Sequence, residues 1–447
     1  MEQVRLFGTD GVRGVANRDL TPELALSLAR AAAEVLVPPG KTVIIGRDTR
    51  ESGPMLEGAL AAGFAASGAD VLLAGIIPTP AISFLIKDEH ATLGAVISAS
   101  HNPPTDNGIK FFDSAGMKLT VEQEQEIENT LGRPLKGLRV GKIELLEAAA
   151  TRYAAFLTGT IESDEVDLSG TRIVVDCAYG ATGAIAPRVL RHFNAEVVEL
   201  HTAPDGRRIN QGCGSTHLDP LRSAVRKHKA DLGIAFDGDG DRVLLVGPDG
   251  GVIDGDKMMG IAALHMQRTG RFSPPLVVAT VMSNLGLERK LREEGIEIIR
   301  TPVGDRYVAR EMHSRGARLG GEQSGHVIFS DHSPTGDGIL TAVKLLEIAH
   351  MNRSSLPELA QEIPLFPQIL KNVEAADPAR VVSHPAVVEA ISYEEEKLGK
   401  DGRVLVRASG TQPLVRVMVE AVDPAICSAT VDRLVDVIAR AAQSENW

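Results

Sequence analysis

The densest chemistry in the chain is DLGIAFDGDGDR, residues 231–242, where Asp237, Asp239 and Asp241 alternate with glycines directly after an apolar run. The glycines let the backbone curl, so three carboxylates can converge on one hard cation. Without a cation, the crowded anions would raise one another's pKa. A calcium loop of the EF-hand type also begins Asp-x-Asp-x-Asp, but it needs glycine at its sixth position and glutamate at its twelfth. Arg242 and Pro248 stand there, and that reading fails.

A second loop lies in ISASHNPPTDNGIKFF, residues 97–112. Ser98, Ser100 and His101 follow an apolar segment, at the end of a strand where open α/β sheets place ligands. Ser100 beside His101 offers a hydroxyl and a base, although sequence neighbours need not meet in space. Taken alone, the run also reads as an ordinary turn. A third loop, RLGGEQSGH at 318–326, carries Glu322, Ser324 and His326, donors and acceptors of the kind that read hydroxyl groups. A fourth, RASGTQPLVR at 407–416, sets Arg407, Ser409, Thr411 and Arg416 around Gly410. Two guanidinium forks, two hydroxyls and flexible backbone amides suit a phosphate.

The elements that must hold these loops read as alternating strands and helices. TPELALSLARAAAEVL predicts a helix with Thr21 as N-cap, Pro22 in its first turn and Leu24, Leu28, Ala31 and Val35 along one face. Val43–Ile45 predicts a buried strand, MLEGALAAGFAASG a helix and DVLLAG the next strand. TRIVVDCAYGATGAIAPRVLRHF and PLVVATVMSNLGLERKLREEG repeat the sequence of β-rich run, small polar turn and helix. They lie too far apart for a solenoid and suit domain duplication. After PLFPQILKNVEA the pattern changes to a strand, a helix over PAVVEAISYEEEKLG, two strands flanking RASGTQP and a final amphipathic helix. The expected fold class is therefore α/β: three related α/β domains with mixed sheets (1–150, 151–253 and 254–363) and a smaller α+β domain (364–447).

Composition narrows the function. A chain of 447 residues exceeds one compact core. Its formal charge of -12 offers no basic surface for nucleic acid or an anionic membrane, so a phosphate-bearing ligand must be held locally. The opening MEQVRLFGTDGVRG lacks the apolar core of a secretory signal, and no run is apolar for the roughly 18 residues a membrane span needs. Cys177, Cys213 and Cys427 form no Cys-x-x-Cys pair, which fits a reducing cytoplasm.

Five motifs in order, LFGTDGVRG (6–14), ISASHNPPTDNGIKFF (97–112), FDGDGDR (236–242), GGEQSGH (320–326) and RASGTQPLVRVMVE (407–420), resemble the α-D-phosphohexomutase superfamily over essentially the whole chain. The resemblance implies a heart-shaped, four-domain enzyme with one loop from each domain lining a central cleft. It implies that Ser100 carries a phosphoryl group and that Asp237, Asp239 and Asp241, joined by a Ser100 phosphate oxygen, bind Mg2+. Glu322 and Ser324, with His326 nearby, would read the sugar, and Arg407, Ser409, Gly410, Thr411 and Arg416 would hold the distal phosphate. Arg13, Lys110 and Arg242 would add positive charge, while His101, Lys110 and His326 are candidates for acid and base. FGTDGVRG, GIKFF and Gln323 resemble the branch that interconverts glucosamine 6-phosphate and glucosamine 1-phosphate, with a glucosamine or glucose 1,6-bisphosphate as intermediate or activator. Gln412 and Pro104 depart from that branch, which usually has glutamate and often has an aromatic residue at these positions. A homodimer is also suggested by the resemblance. Two other classes fit parts of the pattern: a metal-dependent phosphatase with Asp237 as nucleophile and Asp239 as acid/base, and a non-catalytic phosphosugar sensor.

Overall fold

Thr21 caps the helix Pro22–Leu36 as its sequence predicts, its hydroxyl accepting from the Leu24 amide at 3.3 Å. A cap of this kind contributes about 1 kcal/mol. The structure is a computed structural model that describes residues 5–134, 139–162, 166–409 and 413–444. The chain forms two compact units, Met1–Met282 with Gly295–Glu362, and Ser283–Glu294 with Ile363–Trp447.

The first unit contains three sheets built on one plan. In the first, Thr42–Arg47 is flanked by Asp70–Ile76 and Leu93–Ile97, both parallel to it, and Asp106–Phe112 pairs antiparallel with Leu93–Ile97. The second repeats this with Arg172–Asp176, Glu196–Leu200, Leu232–Phe236 and Val243–Val246. The third repeats it with Leu276–Thr280, Glu297–Thr301, Leu319–Gly321 and Val327–Phe329. Val12–Val15 and Ile143–Leu145 extend the first sheet at opposite edges, and Val252–Ile253 extends the second. Such identity of order and direction is what duplication of one unit leaves behind.

One consequence matters for chemistry. In each sheet the third strand turns back on itself, and the turn is the loop that carried reactive residues in the sequence: 98–105, 237–242 and 322–326. Leu93–Ile97 and Leu232–Phe236 are buried at every position, because strands flanked on both sides and covered by helices have no solvent face. At about 1.5–3 kcal/mol for each fully buried aliphatic side chain, these strands are fixed platforms for the turns that follow.

The second unit has an antiparallel sheet ordered Gln368–Glu374, Leu414–Ala421, Gly402–Ala408, with the helices Pro385–Leu398 and Pro424–Ser444. Val387, Val417, Val419, Val431 and Ile438 form its core. The short helix Pro378–Val382 also belongs to it and has no counterpart in the sequence reading. So does Leu285–Glu293, which lies in sequence between two strands of the third sheet. Buried Glu420 holds it, accepting from the Leu285 amide at 3.1 Å and from Arg403 Nε at 2.6 Å. Among the described residues, no helix is long and apolar enough to cross a membrane.

Candidate active site

Ser100 sits in the left-handed region, with φ of 53°, and is 1% exposed. A non-glycine residue pays for that conformation unless its surroundings over-determine it. Here they do. The Ser100 amide donates to Ser98 Oγ at 2.9 Å, and Ser98 Oγ donates to Asp48 at 2.6 Å. Ser98 is therefore structural, and Ser100 is the serine whose hydroxyl faces other reactive groups. Its Oγ donates to Asp237 Oδ2 at 2.6 Å and lies 3.3 Å from His101 Nδ1.

Asp237, Asp239 and Asp241 do converge. Each offers a carboxylate oxygen within 4.8 Å of the others, and all three residues are buried. Burial, reinforced by the charges of Asp241 and Asp239, pushes the Asp237 carboxyl well above the usual carboxylate range. Asp239 Oδ2 is taken by Thr79 Oγ1 at 2.6 Å and Lys110 Nζ at 3.0 Å. Its Oδ1, and Oδ1 of Asp241, are buried without a hydrogen-bond partner among the described residues. A buried carboxylate oxygen left bare costs free energy, and a cation removes that cost. The donor set is all oxygen, which suits a hard divalent ion.

The expected cations cluster at the same place. Lys110, 1% exposed, lies 3.0 Å from both Asp239 Oδ2 and Asp10 Oδ2. Burial works against its charge, but Asp10, Asp239 and Asp241 outweigh burial and raise its pKa. Lys110 is thus a fixed positive charge and a poor base. Arg13 grips the Ala99 carbonyl and Asn102 Oδ1, each at 3.1 Å, and pairs with Asp10. Arg242 donates its amide to Asp237 Oδ1 at 3.2 Å, while its guanidinium lies 3.9 Å from Asp241. His101 is pulled down to about 4 by burial and by the positive charges of Arg242 and Arg13, so it is neutral at pH 7.

The third loop joins them. Glu322, 7% exposed, accepts from the Gly304 amide at 3.1 Å, and Ser324 Oγ lies 3.4 Å from its other oxygen. The Gly325 carbonyl accepts from the Val243 amide, tying the loop to the strand after the three aspartates. His326 Nδ1 lies 3.6 Å from Asp241, and its Nε2 accepts from the Gly336 amide at 3.1 Å. That second bond places the neutral imidazole's proton on Nδ1, facing Asp241. A Cβ at Gly336 would fall 2.4 Å from His326 Nε2, so only glycine allows the contact.

In the second unit, Arg407 and Arg416 face one another across neighbouring strands, and the Ser409 amide bonds to the Leu414 carbonyl at 2.9 Å. Burial and then the Arg416 charge lower the Arg407 pKa. Both arginines are half-buried, and like charges at paired positions are relieved by an anion bound between them. Gly410, Thr411 and Gln412 lie outside the described residues.

Several participants escaped the sequence reading. Asp10 and Lys118 extend the ion-pair chain from Lys110 to Asp305, which lies 3.9 Å from His326 Nε2. Asp10 stands in LFGTDGVRG, three positions before Arg13, as an acidic residue in a turn with no spacing to the other aspartates. Asp48, Arg50 and Thr79 follow strand ends, which was a usable signal. Asn210 lies in a long irregular loop and gave none.

Comparison with known proteins agrees with this geometry. The chain matches the four family descriptions "Phosphoglucomutase/phosphomannomutase, alpha/beta/alpha" domain I over residues 4–135, domain II over 151–250 and domain III over 254–366, and the C-terminal domain over 370–437. It is 49% identical to the phosphoglucosamine mutase of Carboxydothermus hydrogenoformans over 97% of this chain and 99% of that one. It is 52% identical to that of Pelotomaculum thermopropionicum over 97% and 98%. Among solved structures it resembles a phosphoglucomutase/phosphomannomutase family protein from Burkholderia thailandensis, with a TM-score of 0.82 and 28% identity, covering 99% and 98% of the two chains.

Proposed function

The chain belongs to the phosphoglucomutase/phosphomannomutase family of isomerases, and from that premise we propose that it is a phosphoglucosamine mutase working through a phosphoserine at Ser100. The reaction interconverts glucosamine 6-phosphate and glucosamine 1-phosphate. The observation that carries this reading is the Ser100 hydroxyl, 2.6 Å from Asp237 within a triad that keeps two bare carboxylate oxygens.

In the forward direction the phosphoryl group on Ser100 passes to the free hydroxyl at C1 of glucosamine 6-phosphate. The P–O bond to Ser100 breaks, a P–O bond to the sugar forms, and the sugar hydroxyl gives up its proton. The product is a 1,6-bisphosphate. After it turns, Ser100 Oγ takes the phosphoryl group from the other end and glucosamine 1-phosphate leaves. Asp237, Asp239 and Asp241 would hold Mg2+, which supplies charge neutralisation at the transferring phosphoryl group. Lys110, Arg13 and Arg242 add fixed positive charge that needs no reorganisation during transfer. Asp237 and His101 both approach Ser100 Oγ; since Asp237 is assigned to the metal, His101 handles the proton. Glu322 and Ser324 read sugar hydroxyls, and Arg407, Ser409 and Arg416, with Gly410 and Thr411, bind phosphate.

A coupled assay with glucosamine, glucose and mannose 6-phosphates tests substrate choice, and Ser100→Ala is its control. Glucosamine 6-phosphate should be preferred by at least about tenfold in kcat/KM; preference for either other sugar would overturn the name and leave the chemistry. Peptide mapping after incubation with glucose 1,6-bisphosphate should find phosphate on Ser100. Phosphate on Asp237 would instead show an aspartyl-phosphate phosphatase.

A further inference from the structure

Two donors from distant parts of the chain grip the same two carbonyl groups of the serine loop. Arg50 Nη2 donates to the Ser100 carbonyl at 3.1 Å and the Asn102 carbonyl at 2.8 Å. Asn210 Nδ2 donates to the same oxygens, at 2.8 Å and 3.2 Å. Arg50 is completely buried, bonds further to the carbonyls of Pro103 and Asp106, and is held by Asp48 at 2.9 Å. Asp48 in turn accepts from Ser98 Oγ, which receives the Ser100 amide. Both sides of Ser100 are therefore fixed: its amide through Ser98 and Asp48, its carbonyl through Arg50 and Asn210.

We infer that Arg50 and Asn210 are positioning residues that hold Ser100 in its left-handed conformation, so that Oγ stays on Asp237. Fixing the peptide planes before and after one residue leaves its φ and ψ little freedom, and χ1 is then the remaining torsion. This is needed because a serine released from φ of 53° has lower-energy backbone regions available. Asn210 has a second consequence. It comes from the irregular loop after the strand Glu196–Leu200 and abuts the three-aspartate loop, where Gly238 has room only for hydrogen: a Cβ there would fall 2.8 Å from both Asn210 Nδ2 and the Ser100 carbonyl. The amide thus registers the serine loop against the metal loop. Asn210 Oδ1 is buried without a partner among the described residues, so Asn210 is held on this side by its donors alone.

The inference rests on the reading of Ser100 as the phosphoryl carrier, and its test separates the two. Arg50→Lys keeps the charge beside Asp48 but loses the planar fork, and Asn210→Ala removes the second grip without touching the first. In both variants kcat should fall by at least about tenfold, because small misplacements of a reacting atom are costly, while KM stays within about twofold. Transfer from glucose 1,6-bisphosphate to Ser100, followed by intact mass, should slow by the same factor. Backbone hydrogen exchange of the unphosphorylated protein should accelerate in peptides covering 98–106 and stay unchanged in the other strands of the first unit. Since both donors hold the same oxygens, the double variant should lose less than the product of the single losses. Folded variants with kcat within about twofold of the parent overturn the inference. So does exchange that rises across the whole unit in proportion to lost activity, since that marks general loosening. Failure of the parent to take phosphate on Ser100 overturns the functional reading itself, and the exchange comparison still shows whether the clamp exists.

Discussion

At the scale of single residues, the site is decided by which atoms are already satisfied. Lys110 has the charge and position of a catalytic base, yet its two carboxylate neighbours keep it protonated, so it cannot accept a proton near neutral pH. Lys110→Met should leave Asp239 and Asp10 short of a counter-charge, reduce kcat by about 100-fold or more, and fail to recover at any pH up to 10, the outcome that separates a fixed charge from a titrating base. The pH–rate profile measures this. Asp239→Asn should weaken metal activation, shifting the Mg2+ concentration for half-maximal rate upward by about tenfold or more in an EDTA-treated preparation. Ser100 was legible in the sequence because serine, histidine and aspartates each stood after a strand. Arg50 offered only its place after a strand and Asn210 offered nothing, since their bonds to the serine loop span 50 and 110 positions, which no local spacing records.

At the scale of elements, two buried carboxylates anchor helices and give opposite lessons. Asp337 caps the helix Gly338–Asn352, whose first amide bonds to the Gly240 carbonyl in the three-aspartate loop. Its other oxygen accepts from Tyr153 Oη at 2.6 Å. Burial nevertheless pushes its pKa up to about 6, against roughly 3.9 for a free aspartate. The folded state therefore binds the proton more tightly than the unfolded chain does. This contribution to stability is complete below about pH 4 and is lost as pH rises through 6, by at most about 3 kcal/mol. Asp337→Asn keeps an acceptor for Tyr153 and removes the titration. Relative to the parent, the variant should gain stability between pH 4 and 7 in urea melts; a pH-independent difference would contradict the assignment. Glu420 is different, because Arg403, Gln368 and the Leu285 amide all bond to it. Glu420→Ala should leave Arg403 without its buried partner and destabilise the second unit by about 3–5 kcal/mol, seen as a lowered transition in a thermal melt. The helix Pro22–Leu36 and the strand–turn–helix repeats were readable, because capping and periodicity are local. That Leu285–Glu293 attaches to the C-terminal sheet was not, because Glu420 lies 135 positions from Leu285.

At the scale of the whole molecule, net charge sets the terms of binding. A protein of formal charge -12 repels a phosphosugar at long range, so recognition depends on short-range cations arranged against that field. Arg407 and Arg416 form such a local exception, facing each other on adjacent strands where burial and then the Arg416 charge disfavour the charge of Arg407. An anion between them relieves that repulsion and gains charge-assisted hydrogen bonds, whose contribution is about 1.5–3 kcal/mol each. If these arginines bind the phosphate that does not react, they act equally on ground and transition states. Arg407→Gln should then raise KM for glucosamine 6-phosphate by about 10- to 100-fold with kcat within about threefold. Salt supplies the second half of the test. Raising ionic strength from about 0.05 to 0.3 M screens the long-range repulsion in both proteins but the arginine attraction only in the parent, so the parent's KM should rise relative to the variant's. Equal salt responses, or a fall in kcat with KM unchanged, would move Arg407 from phosphate binding to the chemical step.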